Sequence, residues 1–372
     1  MAVFIYQLPG WPSFTWNAEK INLLLTEVRH QQGKLLGRME RLGFTLQSEA
    51  TLQTLTLDVL KSSEIEGELL DAEQVRSSIA LRLGIDIAGM VTADRHVEGV
   101  VEMMLDATQH FDQPLTEERL FGWHAALFPT GRSGMHKIVT GAWRNNPSHD
   151  PMQVVSGPMG RETIHYEAPA AELLPDEMNH FLHWFNTSMN TDPVLKAAIA
   201  HVWFVTIHPF DDGNGRVARA VADLQLSRAD GTAQRFYSMS AQVRKERNAY
   251  YTILEKTQRG NLDITEWLEW FLQCLGRALN ASEETLALVL KKAAFWKAQE
   301  KTIFNPRQVL MLNKLLDKFE GKLTTSKWAK IAKCSHDTAL RDINDLIEKK
   351  VLTKEEAGGR SSSYILVVAN KN

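Results

Sequence analysis

His208-Pro209-Phe210-Asp211-Asp212-Gly213-Asn214-Gly215-Arg216-Val217-Ala218-Arg219 follows directly on Val194 to Ile207, a segment that is apolar nearly all round. A helix of that kind belongs at the centre of a fold, so a buried helix is expected to deliver the chain into His208. Pro209 and the glycines break it, and a second helix is expected to start near Asn214 to Arg216. Helix N-termini leave about four backbone N–H groups unpaired and carry partial positive charge, so the Gly213-Asn214-Gly215 loop can donate to a phosphate. Arg216 and Arg219, three apart, share one face of the first turn, where both guanidiniums can bind successive phosphates of one nucleotide. Asp212 is a hard oxygen ligand suited to Mg2+ bridging those phosphates. His208, with an ordinary pKa of about 6.5, can take a hydroxyl proton near neutral pH. The simpler alternative is a polar connection in which Asp211 or Asp212 pairs an arginine and His208 caps the preceding helix. Several costly features converge on this loop, which favours nucleophile activation beside a bound di- or triphosphate.

The rest of the chain bounds that reading. Its 372 residues, 44% apolar and 23% charged, suit two or three ordinary globular domains. No run of about 18 apolar residues suggests a membrane span, and the N-terminus does not read as a secretory signal, so a cytoplasmic protein without membrane attachment is expected. Cys274 and Cys334 are far apart and lack CxxC spacing, which argues against a disulfide framework or a zinc site. The net charge of −3 is uneven: residues 301–372 hold 14 Lys and Arg against 8 Asp and Glu, a net +6.

Leu8-Pro9-Gly10-Trp11-Pro12 opens without a helix, Asn17 is a plausible N-cap, and apolar residues from Ile21 to Leu42 recur at helical spacing up to Gly43. A second helix through Leu52, Leu55, Val59 and Ile65 ends near Gly67. In Ser62-Ser63-Glu64-Ile65-Glu66-Gly67-Glu68, Ser63 and Glu66 can form a capping box, or Glu66 and Glu68 can sit on a solvated face. Ser62 and Glu66 are also four apart on one helical face, with Gly67 able to stop the helix, so that Glu66 can reach an arginine elsewhere. Further helices are expected over 72–110 and from Thr116 to Pro129, with His124 a packed histidine. The turn-rich stretch from Pro129 to Glu162 holds two β-like runs, Met152–Val155 and Thr163–Tyr166, read as a hairpin against the helices.

His208, Phe210, Asp212, Gly213, Asn214, Gly215, Arg216 and Arg219 fill every fixed position of H-x-F-x-D/E-G-N-G-R-x-x-R, and the chain therefore resembles the Fic family. The resemblance implies an all-α, mainly helical Fic fold with a β-hairpin flap. It also implies transfer of AMP from ATP, with Mg2+, to a Ser, Thr or Tyr hydroxyl of a target protein, or of the chain itself. His208 would be the general base, Phe210 would orient the loop, and Asp212 would hold Mg2+. Gly213, Asn214 and Gly215 would form the anion hole, with Asn214 near the α-phosphate. Arg216 would contact the inner phosphates and Arg219 the γ-phosphate, while Ile164, His165 and Tyr166 would register the target. Ser62, Glu66 and Gly67 resemble the inhibitory motif S/T-x-x-x-E-G/N, which implies a self-inhibited enzyme in which Glu66 pairs with Arg219. In some members the inhibitory glutamate supports removal of AMP, so a hydrolase or bifunctional enzyme is the alternative.

The expected domains are an N-terminal helical domain (1–110), the Fic core (111–285), a connector helix (286–303) opened at Asn280-Ala281-Ser282, and a basic C-terminal domain (304–372). This last part resembles a winged helix-turn-helix, whose second helix enters the DNA major groove. Thr338, Arg341 and Asn344, with His336, are the candidate DNA-reading residues, Arg360 lies in the wing, and Lys327, Lys330 and Lys333 fall near phosphates. Leu340, Ile343 and Ile347 are expected in the core. Asp337, Asp342 and Asp345 would set negative charge on the reading helix, which favours protein docking instead. DNA and a second copy of the chain are thus further partners to be tested.

Overall fold

The computed structural model describes residues 3–87, 89–157, 161, 163–317, 319, 321–355 and 362–367, with Phe44 and Thr285 described by backbone alone. It is 62% helical, and the strands among the described residues form three two-stranded antiparallel pairs. The chain divides into two compact units, Met1–Ile85 with Val91–Glu283, and Asp86–Met90 with Glu284–Asn372.

The first unit is built round α7 and α8. All residues of α7 (Pro193–Ile207) after Pro193 are buried, and α8 (Asn214–Asp230) buries almost as much. Their near-total burial is what an all-round apolar helix requires. The unit opens with α1 (Ala18–Met39), α2 (Phe44–Ile65), α3 (Ala72–Leu83), α4 (Arg95–Gln109) and α5 (Glu117–Leu127). Asn17, Asp71, Asp94 and Thr116 cap α1, α3, α4 and α5 by accepting backbone N–H groups of the first turn. Between α5 and α7 lie β1 (Arg132–Ser133), β2 (His136–Lys137), β3 (Gln153–Ser156), β4 (Thr163–Glu167) and α6 (Leu174–Thr187). After α8 come α9 (Met239–Lys245), α10 (Arg247–Gln258) and α11 (Thr265–Ala298).

The expected break at Asn280-Ala281-Ser282 does not occur, because α11 is one helix of 34 residues. Ser282 Oγ donates to Leu279 O at 2.5 Å. The hydroxyl is thereby satisfied inside the helix and does not cap a new one.

The second unit contains α12 (Pro306–Leu316), α13 (Thr325–Ile331), α14 (His336–Glu348), β5 (Leu352–Lys354) and β6 (Tyr364–Leu366). Asn305, Thr324 and Ser335 cap the three helices. Met311, Leu312, Leu323, Trp328, Ala339, Ile343 and Leu346 make its core. Leu340, expected in that core, is 37% exposed. The apolar stripe of α14 runs through Ala339, Ile343 and Leu346 at spacings of four and three, and Leu340 falls one residue off it.

The end of α2 matters most for the site. Gly67 N donates to Glu64 O at 3.1 Å and Glu68 N to Ser63 O at 3.1 Å, the bond pair of a Schellman motif. Gly67 takes φ 89°, which a side chain opposes. Gly67→Ala is expected to lower stability by about 1–2 kcal/mol, and Gly67→Asn by less, as read from thermal unfolding. Equal midpoints for wild type and the alanine variant would contradict this turn.

Candidate active site

The motif loop starts from a strained residue. His208 adopts φ 53° and ψ 59°, the left-handed region, at the C-cap of α7. Its Nδ1 donates to Val205 O at 3.2 Å, and since a carbonyl only accepts, the neutral ring keeps its lone pair on Nε2. Desolvation of the ring pushes its pKa down to about 4 against the opposing pull of the Val205 carbonyl. Nε2 is thus a free acceptor at neutral pH.

Side chains from elsewhere fix the loop that follows. His124, on α5, stacks flat on Phe210 with ring centroids 4.1 Å apart. It accepts Gly141 N–H on Nδ1 at 3.1 Å and donates from Nε2 to Asp212 O at 3.2 Å. Both ring nitrogens are therefore used in the neutral form, and burial brings the pKa down to about 4. Asn214 accepts Phe210 N–H at 2.9 Å and donates to Phe210 O at 2.8 Å, so its amide staples the loop shut. Arg144 donates from Nε to His208 O at 2.8 Å.

Asp211 and Asp212 diverge. Asp211 Oδ2 accepts Val139 N–H at 2.8 Å. Asp212 accepts Gly213 N–H at 2.6 Å and the Ser133 hydroxyl. Among the described residues no group of three or more His, Cys, Asp or Glu side chains makes a metal cage. One carboxylate beside a helix N-terminus suits an Mg2+ that arrives with phosphates and keeps waters, rather than a cage built wholly from protein.

Arg216 and Arg219 are only 3% and 4% exposed, and each meets a carboxylate from the turn after α2. Arg219 Nη2 lies 2.8 Å from Glu66 Oε1, while its Nε and Nη2 donate to Ser62 Oγ at 3.0 Å and Ser62 O at 2.9 Å. Burial would lower the Arg219 pKa, yet the Glu66 carboxylate raises it on balance. Arg216 Nη1 lies 2.6 Å from Glu68 Oε2 and its guanidinium sits over the Phe128 ring. Burial would raise the pKa of Glu68, but His96, 3.3 Å away, and Arg216 hold it below the usual carboxylate range. Gly215 has room only for hydrogen, because a methyl group there would collide with the Glu66 carboxylate. Glu66 therefore rests on the first turn of α8, where an anion is expected to bind.

The flap strands pair as Val154 with Tyr166 and Val155 with Ile164 across an irregularity that leaves His165 extra. The bulge breaks the alternation of the strand, so Ile164 is exposed whereas Tyr166 is buried. Tyr166 OH donates to Thr206 O at 2.5 Å. Its side chain anchors the hairpin and does not face a target segment, which corrects the expectation from sequence. His165 Nδ1 pairs with Glu255 at 2.9 Å.

In the second unit Thr338 is half-buried and Arg341 and Asn344 are exposed on α14. Arg360 lies outside the described residues. Asp342 is turned inward onto Arg307 at 2.7 Å and Asn305 at 2.8 Å, and Asp345 meets Gln308 at 2.7 Å and Lys349. Two of the three carboxylates counted against DNA are thereby neutralised locally. Glu68, His124, Ser133 and Arg144 were not singled out by sequence as site residues. Glu68 was read only as an acid on a solvated face, two residues from Glu66.

Residues 114–226 match the Fic/DOC family model. Residues 4–85 match a domain of unknown function, DUF4172. A relative named protein adenylyltransferase Fic from Drosophila virilis is 26% identical over 233 residues, covering 60% of this chain and 41% of the relative. One of the same name from Aedes aegypti is 35% identical over 105 residues, covering 28% and 19%. The chain thus spans about two fifths of the length of the first of these relatives. A Fic family protein from Desulfovibrio desulfuricans has the same fold at a TM-score of 0.54 and 22% identity, covering 97% of this chain and 99% of that one. A Fic domain containing signaling protein from Bacteroides thetaiotaomicron gives 0.51 at 20% identity over 70% and 97%.

The depressed pKa of His208 has a sign that can be tested. Between its unfolded value of about 6.5 and its folded value of about 4, the unfolded chain binds the extra proton, so stability falls as pH drops through that window. Histidine NMR of the unliganded protein is expected to show the His208 ring neutral at pH 5. A midpoint at or above 6.5 would refute the desolvated neutral base.

Proposed function

We propose that the chain is a protein adenylyltransferase that moves AMP from ATP to a Ser, Thr or Tyr hydroxyl of a protein target. The carrying observation is a histidine with an Nε2 lone pair one loop away from two buried arginines on the first two turns of a helix. In this reading the target oxygen attacks the α-phosphorus, the Pα–O bond to the leaving group breaks, and pyrophosphate departs. The hydroxyl proton passes to His208 Nε2. Backbone N–H groups at the start of α8, with Arg216 and Arg219, orient the phosphates for in-line attack. When bound, Mg2+ held by Asp212 would offset the phosphate charge. The two free cysteines and abundant cellular ATP suit a cytoplasmic setting.

We infer further that the conformation described is the silenced one. Glu66 occupies Arg219 and Glu68 occupies Arg216, so a triphosphate must displace two carboxylates of one turn. Glu66→Gly is expected to increase labelling by ATP carrying label on its α-phosphate, and His208→Ala to abolish it. Adding Glu68→Gln to Glu66→Gly should tighten ATP binding by about a further tenfold, the value of one charged hydrogen bond, by calorimetry. Identical affinity of the single and double variants would remove Glu68 from the brake, and equal labelling of all variants would remove the assignment of base and brake together.

A second reading adds to the first. Asp342 is buried on Arg307 and Asp345 is paired with Lys349, while Arg341 and Asn344 are exposed on α14, which supports DNA contact by a winged helix in the second unit. Arg341→Ala is expected to weaken binding to duplex DNA by about 1–3 kcal/mol, with an affinity that falls steeply between about 50 and 200 mM salt. Affinity that is insensitive to both would instead favour protein docking.

A further inference from the structure

Arg144 is buried, yet among the described residues every hydrogen-bond partner of its side chain is neutral. Its guanidinium donates to His208 O at 2.8 Å, to Pro169 O at 2.5 Å and to Asn146 Oδ1 at 2.7 Å. Its own N–H donates to Pro209 O at 2.9 Å. Burying a cation without an ion pair is expensive, and burial pushes its pKa down although the Asp211 and Glu172 carboxylates act in the opposite direction. A simple filler for this space would be apolar. What the guanidinium supplies is a planar fork of donors in fixed directions, which neither an apolar group nor a lysine can reproduce.

The carbonyls it ties belong to parts that must keep a fixed distance. His208 carries the base, and its left-handed backbone turns its carbonyl toward Arg144. Pro169 lies two residues beyond the end of β4, the flap strand with exposed Ile164. The buried Tyr166 phenol adds a second tie, from β4 to Thr206 O at the end of α7. On its other side β4 is fastened to α10, where Arg259 donates to Ile164 O at 2.8 Å and to His165 O at 3.0 Å. A hydroxyl presented by a segment on the flap must come within about 3 Å of His208 Nε2 to give up its proton.

We propose that Arg144 is a positioning residue that holds the base and the flap in one frame, and so sets where a protein hydroxyl can meet His208. The inference rests on the transferase reading above. It separates two acceptors: a protein hydroxyl needs the frame, whereas water, which needs no registration by the flap, does not.

The test uses the full chain carrying Glu66→Gly, alone and with Arg144→Met or Arg144→Lys. ATP affinity, protein-bound AMP, AMP released to water and backbone hydrogen exchange are measured on each. With Arg144→Met, ATP affinity should stay within about threefold while protein-bound AMP falls about 100-fold, the usual cost of misplacement by about 1 Å. AMP released to water should change far less, and Arg144→Lys should recover only part of the loss. Hydrogen exchange should quicken at residues 163–169 and 208–213 and not elsewhere. A parallel fall of both AMP products, or no fall in protein-bound AMP, overturns the proposal. If the Glu66→Gly parent makes neither product, the transferase reading fails, and exchange alone decides the clamp. Quickening confined to those two segments then supports it, and even or absent quickening sinks it.

Discussion

A guanidinium buried in a helical core must have a partner, and for Arg219 that partner comes from a different helix. Leaving a buried charge alone costs about 3–5 kcal/mol, so the start of α8 needs an anion or an acceptor at all times. Here Ser62 and Glu66 of α2 provide it. In the proposed reading, binding of a nucleotide would exchange one anion for another at a charge already present. The turn after α2 and the start of α8 form one electrostatic unit.

Around that charged centre the loop is held by a set of hydrogen bonds from elsewhere in the fold. His124, Asn214 and the carbonyls of His208 and Pro209 make directional bonds that survive changes in the charge of the ligand. Such fixed dipoles need no rearrangement when charge develops in a reaction, which is the physical content of preorganisation.

Much of this was legible because the chemistry is contiguous. Twelve residues carry the base, the carboxylate, the glycine loop and both arginines, and an all-round apolar helix announces its own burial. Glu66 was legible through its helical spacing from Ser62. Glu68 was not, since it lies past Gly67, and only the Schellman turn folds it back toward Arg216. Arg144 is one of three arginines in a turn-rich stretch, and nothing local says that it will meet carbonyls from residues 169 and 208. Tyr166 was misread because a bulge in β4 reverses which face it takes, and bulges leave no reliable mark in composition. Ser282 looked like a cap because serine serves both as cap and as a helix-interior donor, and the choice depends on tertiary surroundings.

If α2 is the brake proposed above, its end would also set how that brake lets go. Asp58, Ser62 and Glu66 follow one another at intervals of four on a single face. Asp58 accepts Ser240 N–H at 3.1 Å and the Ser238 hydroxyl, while Ser62 and Glu66 hold Arg219. A helix gripped at successive turns cannot creep along its neighbour, because any partial slide breaks every grip before making a new one. It behaves as a detent: either the last turn unwinds locally at Gly67, freeing two carboxylates together, or the whole helix stays seated. Intermediate levels of restraint would then reflect the fraction of molecules released, with each single molecule fully closed or fully open.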